Sequence, residues 1–374
     1  MISLAPWILL IAFLPAGPAA ADPGSAYVQV SGPCSLEFPR DHGPHPGYRT
    51  EWWYYTGNIE SGDGRPFGFQ LTFFRSRISP PGAEESWPDP ASAWRTQQIF
   101  LAHMALSDVS RQKFHHDEKV TRGALGLGGV ETSTESATVF LHDWNADIGE
   151  TVHRLKADSE HFGIEFEAIP SKPLVAHGER GYSRKGPRPE QASCYYSFTR
   201  LQIQGYIRIG AETIPVNGLA WMDHEFSSAP LDAELVGWDW FSLQLDDGSE
   251  LMVYLLRTRD GFYSLQSAGT FVSPSGEPMH LVREDLEIEV MDRWRSPHSG
   301  ADYPSRWRIK IPKLGIDIRV TPRIRDQELH TPGSTRITYW EGSIAAEGLV
   351  QGKPVTGAGY MELTGYAQPL DARL

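Results

Sequence analysis

Trp52-Trp53-Tyr54-Tyr55-Thr56-Gly57-Asn58-Ile59, then Glu60-Ser61-Gly62-Asp63-Gly64-Arg65-Pro66, then Phe67-Gly68-Phe69-Gln70-Leu71-Thr72-Phe73-Phe74 is the stretch that decides the fold of this chain. Its last run alternates, so Phe67, Phe69, Leu71 and Phe73 share one face of an extended strand. The middle run is rich in Gly, Asp and Ser and closes with Pro, a composition that suits a hairpin loop. The same pattern recurs along the chain. Further strand-like runs cover residues 98–108, 137–142, 153–157, 163–168, 195–203, 205–209, 213–219 and 220–226. A break at 227–232 is followed by runs at 236–245, 251–257, 262–272, 286–290, 307–311, 316–321, 338–346 and 357–363. Long helical periodicity is nearly absent. Close to twenty short strands in 374 residues predict an all-β protein of two antiparallel barrels side by side. Residues 79–94 and 178–192 read as long loops.

Composition narrows the function. The formal net charge is −13, which argues against nucleic acid or an anionic membrane surface as the main partner. The first 21 residues carry no charged side chain and end in Ala19-Ala20-Ala21, as a secretory signal peptide does. Cys34 and Cys194 are the only cysteines. Export permits a disulfide. Spacing alone does not place the two within bonding distance, and two separate thiols are the default expectation.

Gly218-Leu219-Ala220-Trp221-Met222-Asp223-His224-Glu225-Phe226 sets three ionisable groups in an apolar run. Burying them costs several kcal/mol unless they are paired. Strand alternation puts Trp221, Asp223 and Glu225 on one face and His224 on the other. Two carboxylates on one face repel, which raises one pKa and suits a general acid. The structural alternative, favoured on sequence alone, pairs them with Arg49, Arg184 or Lys185. Glu51, Trp53 and Tyr55 share a strand face, where core filling outweighs cavity lining. His103, Tyr195 and Tyr196 read as core residues, with pocket lining as the alternative. His42 and His45, and His115-His116-Asp117, are loop-like clusters without a ligand frame, so no metal is expected. No Gly-x-Ser-x-Gly elbow occurs, which disfavours a serine hydrolase.

Several longer motifs resemble a known family. Phe38-Pro39-Arg40-Asp41-His42-Gly43, Glu51 to Gly57, Gly181 to Gly186, Ala192 to Ser197, Gly218 to Ser227 and Gly237 to Leu245 are similar to the AttH-like secreted proteins. These are often described as secreted hydrolases. More remotely, the chain resembles carotenoid 1,2-hydratases. The resemblance implies two tandem lipocalin-like antiparallel β-barrels, residues 22–228 and 236–374, joined by 229–235 after a signal peptide at 1–21. It also implies an exported, periplasmic protein beside an ABC-type permease of the lipoprotein-release kind. Its ligand would be a hydrophobic isoprenoid- or lipid-like small molecule, with no cofactor.

The related hydratases protonate a double bond with a carboxylic acid, stabilise the cation on aromatic faces and add water. Asp223 and His224 match the Asp-His of the hydratase strand, and Trp238-Asp239-Trp240 its Trp-Asp-Trp. Tyr254 matches a tyrosine near an acid, but Tyr254-Leu255-Leu256-Arg257 lacks that acid. Asp223 or Glu225 would then be the acid, with His224 orienting it or handling water. Trp53, Tyr55, His103, Tyr196, Trp221, Trp238, Trp240 and Tyr254 would surround the ligand. A non-catalytic carrier is the alternative, and a strand that merely glues the barrels together is a third reading. The oligomeric state stays open.

Overall fold

The computed structural model describes residues 27–83, 87, 89 and 92–370. The signal-peptide expectation at 1–21 lies outside these residues. The hairpin is present: β1 (Thr50–Ser61) and β2 (Pro66–Arg77) pair from Thr50↔Ser76 to Glu60↔Pro66. β3 (Gln98–Asp108) and β4 (Lys113–Arg122) extend it on one side. β5 (Gly128–Thr132), β6 (Ser136–Leu141), β7 (Trp144–Gly149), β8 (His153–Asp158) and β9 (Phe162–Pro170) form a meander. After the short β10 (Val175–Ala176) and β11 (Tyr182–Arg184) come the long β12 (Ala192–Ile209) and β13 (Glu212–Ser227). Sheet order is β4-β3-β2-β1-β13-β12-β9-β8-β7-β6-β5, so the first and last long strands lie side by side. The sheet curls around Trp53, Tyr55, Phe67, Phe69, Leu71 and Phe73, all buried, as the alternation requires.

The second sheet repeats this plan. It contains β14 (Leu235–Leu245), β15 (Glu250–Thr258), β16 (Ala268–Val272), β17 (Pro278–Val282), β18 (Glu287–Arg295), β19 (Asp302–Ile311), β20 (Ile316–Pro322), β21 (Glu328–His330), β22 (Thr338–Val350) and β23 (Lys353–Leu363). Its order, β17-β16-β15-β14-β23-β22-β20-β19-β18, again sets first and last strands together. Phe241, Leu243, Trp307, Ile309, Ile318 and Ile344 fill its own core. The molecule is therefore two tandem lipocalin-like barrels. Among the described residues no helix is long and apolar enough to cross a membrane.

Several expectations are corrected. His115, His116 and Asp117 lie on β4, not in a loop. β4 is an edge strand with little apolar alternation, so its pattern hides it. Residues 195–203 and 205–209 belong to one strand, β12, whose register shifts between Phe198 and Leu201. Only 268–272 of the 262–272 run is strand, and Phe262 and Leu265 are exposed in the preceding loop. Cys34 and Cys194 form a disulfide rather than two thiols, their Cα atoms 6.0 Å apart. The turn at Gly181 brings them together. Its φ is +89°, and a Cβ there would stand 3.2 Å from the Cys34 Cβ, so glycine is needed on both counts.

The barrels meet through the outer faces of β1, β2 and β13 on one side and β14, β22 and β23 on the other. Polar groups cross the seam. Asn58 Nδ2 donates to Gly359 O at 2.9 Å, and Gln244 Nε2 donates to Thr199 O and Ala220 O at 2.7 and 2.8 Å. At the far end of the seam, Lys172 and Arg200 both meet Glu250. A cavity of about 840 Å³ opens there, lined by Asn58, Arg200, Gln244 and Arg323 among others.

Candidate functional site between the barrels

β13 places Asp223 opposite Tyr54 of β1 and Ser197 of β12. Alternation sends Met222 and His224 into the first barrel and Trp221, Asp223 and Glu225 toward the second. The bulge in β12 leaves Tyr195 and Ser197 on that same outer face. Asp223 is buried and accepts three hydrogen bonds. Trp221 Nε1 donates at 2.6 Å, Tyr195 OH at 2.8 Å, and Ser197 Oγ also donates. Burial raises its pKa to about 7, against the three donors that lower it. His177 supports Ser197 from behind, with Nε2 2.7 Å from its hydroxyl.

Glu225 is committed to an ion pair with Lys185 at 3.2 Å and also accepts from Ser193. The Lys185 ammonium lies 3.9 Å from the centre of the Tyr254 ring, a cation–π contact. Arg184 does not reach Asp223. Its side chain donates to Gly186 O and Pro187 O, because the short β11 turns it outward. Arg49 contributes its backbone, donating to Ser228 Oγ at 3.1 Å. Glu51 is an ion-pair residue, but with Arg75 at 2.8 Å and inside the first barrel.

The second barrel supplies groups that sequence reasoning missed. Glu341 of β22 and Glu362 of β23 are register partners facing the first barrel. Tyr54 OH donates to Glu341, and Trp238 Nε1 donates to Glu362 Oε1 at 3.2 Å. Burial raises the Glu362 pKa to about 8, assisted by the charges of Asp223 and Glu225. Burial and the neighbouring Glu362 push Glu341 well above the carboxylate range. No cation offsets either group among the described residues, so the pair holds protons at neutral pH.

Aromatic side chains wall this cluster. Tyr54, Tyr195, Trp221, Trp240 and Tyr254 are buried together, with Trp52, Leu231 and Trp238 partly exposed at the rim. Trp240 Nε1 donates to Tyr195 OH at 3.2 Å. His103 also faces the seam, but its nitrogens contact Tyr339 OH and Ser334 Oγ at 2.8 Å, so it ties the barrels together.

The structure thus splits the sequence-derived site. Asp223, Glu225, Trp221, Trp238, Trp240 and Tyr254 converge. Trp53, Tyr55, Tyr196 and His224 do not, because they point into the first barrel. Trp53 stacks on His224 there, and Tyr55 OH meets His153 at 2.9 Å. Tyr195, not Tyr196, faces the seam. Tyr54 carried an alternation signal that would have placed it opposite Trp53. Glu341 and Glu362 gave none beyond being acids on apolar strands, because their partners lie far away in the chain.

The AttH-like family model matches residues 29–366. The crystal structure of a candidate AttH from Nitrosomonas europaea superposes with a TM-score of 0.79 at 38% identity, covering 91% of this chain and 99% of that one. Kievitone hydratase from Nectria haematococca shares the fold, with a TM-score of 0.66 at 15% identity, covering 91% and 96%. No curated relative matches the chain. The chain belongs to the AttH-like family.

Proposed function

We propose that the seam between the barrels binds a hydrophobic isoprenoid- or lipid-like molecule and hydrates one of its double bonds. The observation that carries this reading is the Glu341–Glu362 pair, one buried and one half-buried carboxyl group without a cation among the described residues, beside Trp238 and Tyr54. Glu362 is the better proton donor. Asp223 accepts three hydrogen bonds, which favour its charged form, whereas Glu362 accepts one and sits nearer the partly exposed rim. Glu225 is occupied by Lys185.

In the step proposed, the Glu362 O–H bond breaks and its proton forms a C–H bond with the alkene π pair. The cation left on the adjacent carbon faces Trp238 and Trp240, where cation–π attraction stabilises it. Water forms the C–O bond, and its surplus proton returns to the carboxylate pair. No cofactor is needed. Thr56 Oγ1 and Gln70 Oε1, register partners on β1 and β2, are buried without a hydrogen-bond partner. Water or an oxygenated ligand atom would satisfy them. Kievitone hydratase is named for a hydration, but at 15% identity it supports the fold alone.

The carrier reading keeps one specific support. Tyr254-Leu255-Leu256-Arg257 carries no acid of the kind that the resemblance places near Tyr254, and Arg257 is paired with Asp239 at 3.1 Å. A carrier would hold its ligand for an ABC-type exporter. Export itself is part of the proposal, and the Cys34–Cys194 bridge supports an oxidising compartment such as the periplasm. The test is Glu362→Gln. Under hydration, turnover falls by about 10²–10⁴-fold while ligand affinity and melting temperature hold. Unchanged chemistry in this variant removes Glu362 from the mechanism.

A further inference from the structure

On the opposite face of β13 from Asp223, a second cluster closes the end of the first barrel. Glu51 Oε1 lies 2.7 Å from His45 Nδ1 and 2.9 Å from His224 Nε2. One donor atom from each residue falls within 4.8 Å of the others. We propose that His45, Glu51 and His224 form a divalent-metal site with a donor set that suits Zn²⁺, stapling the segment around His45 to the barrel.

The proton inventory points the same way. Tyr196 OH has one proton and three neighbours: Asp41 O at 3.1 Å, His42 Nδ1 at 2.8 Å and His224 Nδ1 at 2.9 Å. With the hydroxyl donating to Asp41 O, it accepts from both imidazoles. In that arrangement a neutral His224 carries its proton on Nδ1, and its Nε2 lone pair faces a carboxylate oxygen. A cation between the two turns that repulsion into coordination.

The surroundings fit a metal site. His45 Nε2 sits 3.3 Å from Asp41 Oδ1, the carboxylate support that orients ligating imidazoles. Arg75 Nε holds the other Glu51 oxygen at 2.8 Å, while Oε1 faces both imidazoles and the His45 backbone N–H at 3.2 Å. A cavity of about 360 Å³, lined by Asp41, His45, Tyr48, Cys194 and Phe226 among others, reaches the His45 side of the cluster. His45 and Glu51 lie six residues apart, but His224 comes from a strand distant in sequence, so no spacing of all three betrays them.

The competing account is a hydrogen-bonded clamp in which both imidazoles donate to Glu51 without an ion. Metal analysis of the full chain, stripped with a chelator and re-equilibrated with Zn²⁺, separates them. The expected result is one Zn²⁺ retained per chain and a melting temperature that rises with Zn²⁺. His45→Ala should abolish both, and Asp41→Asn should weaken binding by about 10–100-fold. Should His45→Ala not fold, Co²⁺ added to the wild-type chain should give the visible absorption of a low-symmetry nitrogen–oxygen site. Absence of stoichiometric Zn²⁺ and of those bands, or equal Zn²⁺ in wild type and His45→Ala, overturns the proposal.

Discussion

At the scale of single residues, the decisive contrast is between acids that have a cation and acids that do not. Glu225 has Lys185, Glu51 has Arg75, and Glu250 has Lys172 and Arg200. Among the described residues, Glu341 and Glu362 have each other, Tyr54 and Trp238, and no cation. Lys185→Met tests the first group. It strands Glu225 at the seam and should cost about 2–3 kcal/mol, less than the 3–5 of a fully buried pair, because the Lys185 side chain is 24% exposed. Chemical denaturation measures this, and an unchanged midpoint would show the pair to be ornamental. Half of this contrast was legible in the sequence. Alternation correctly separated His224 from Asp223 and Glu225. It could not choose Lys185 over Arg184, because Arg184 ends a short strand and Lys185 follows it, so no alternation fixes which one turns inward. Nor could it reveal Glu341 and Glu362 as neighbours of Asp223, since cross-barrel contacts leave no local pattern.

At the scale of elements, strands with apolar alternation on a buried face declared themselves, and edge strands did not. β2 reads plainly because Phe67, Phe69, Leu71 and Phe73 all enter one core. β4 was hidden because its polar side chains meet solvent. The bulge in β12 was also invisible, yet it sets Tyr195 and Ser197 against Asp223 while Tyr196 stays inside. The disulfide joins β12 to the amino-terminal segment across 160 residues of sequence. Closing a loop of that length contributes about 5 kcal/mol in the chain-entropy treatment. Cys194→Ser, or reduction of the wild type, should lower the denaturation midpoint accordingly. The loss should be the same by either route if the bridge acts through the unfolded chain. A midpoint insensitive to reductant would contradict this.

At the scale of the whole molecule, the seam gives stability a pH dependence whose sign is fixed. Glu362 has a folded pKa of about 8 against the ordinary 4.5 of a glutamate. Between these values the folded state binds more protons than the unfolded, so stability falls as pH rises. The contribution is complete below about 4.5 and lost through about 8. His103 and His177 act oppositely, because burial lowers each to about 3 from 6.5. Their contribution is complete above about 6.5 and lost as pH falls toward 3. The melting temperature should therefore decline from about pH 6.5 through about pH 8, and Glu362→Gln should lessen that decline, Asp223, raised to about 7, carrying part of the remainder.

The same seam makes the functional claim testable without knowing the ligand. Wild type and Glu362→Gln, each purified from the native host, should be compared by native mass spectrometry. Hydration at the Glu341–Glu362 pair predicts that Glu362→Gln retains a hydrophobic molecule lighter by one water than the molecule carried by wild type. The same ligand mass on both proteins, or no small molecule on either, would contradict it.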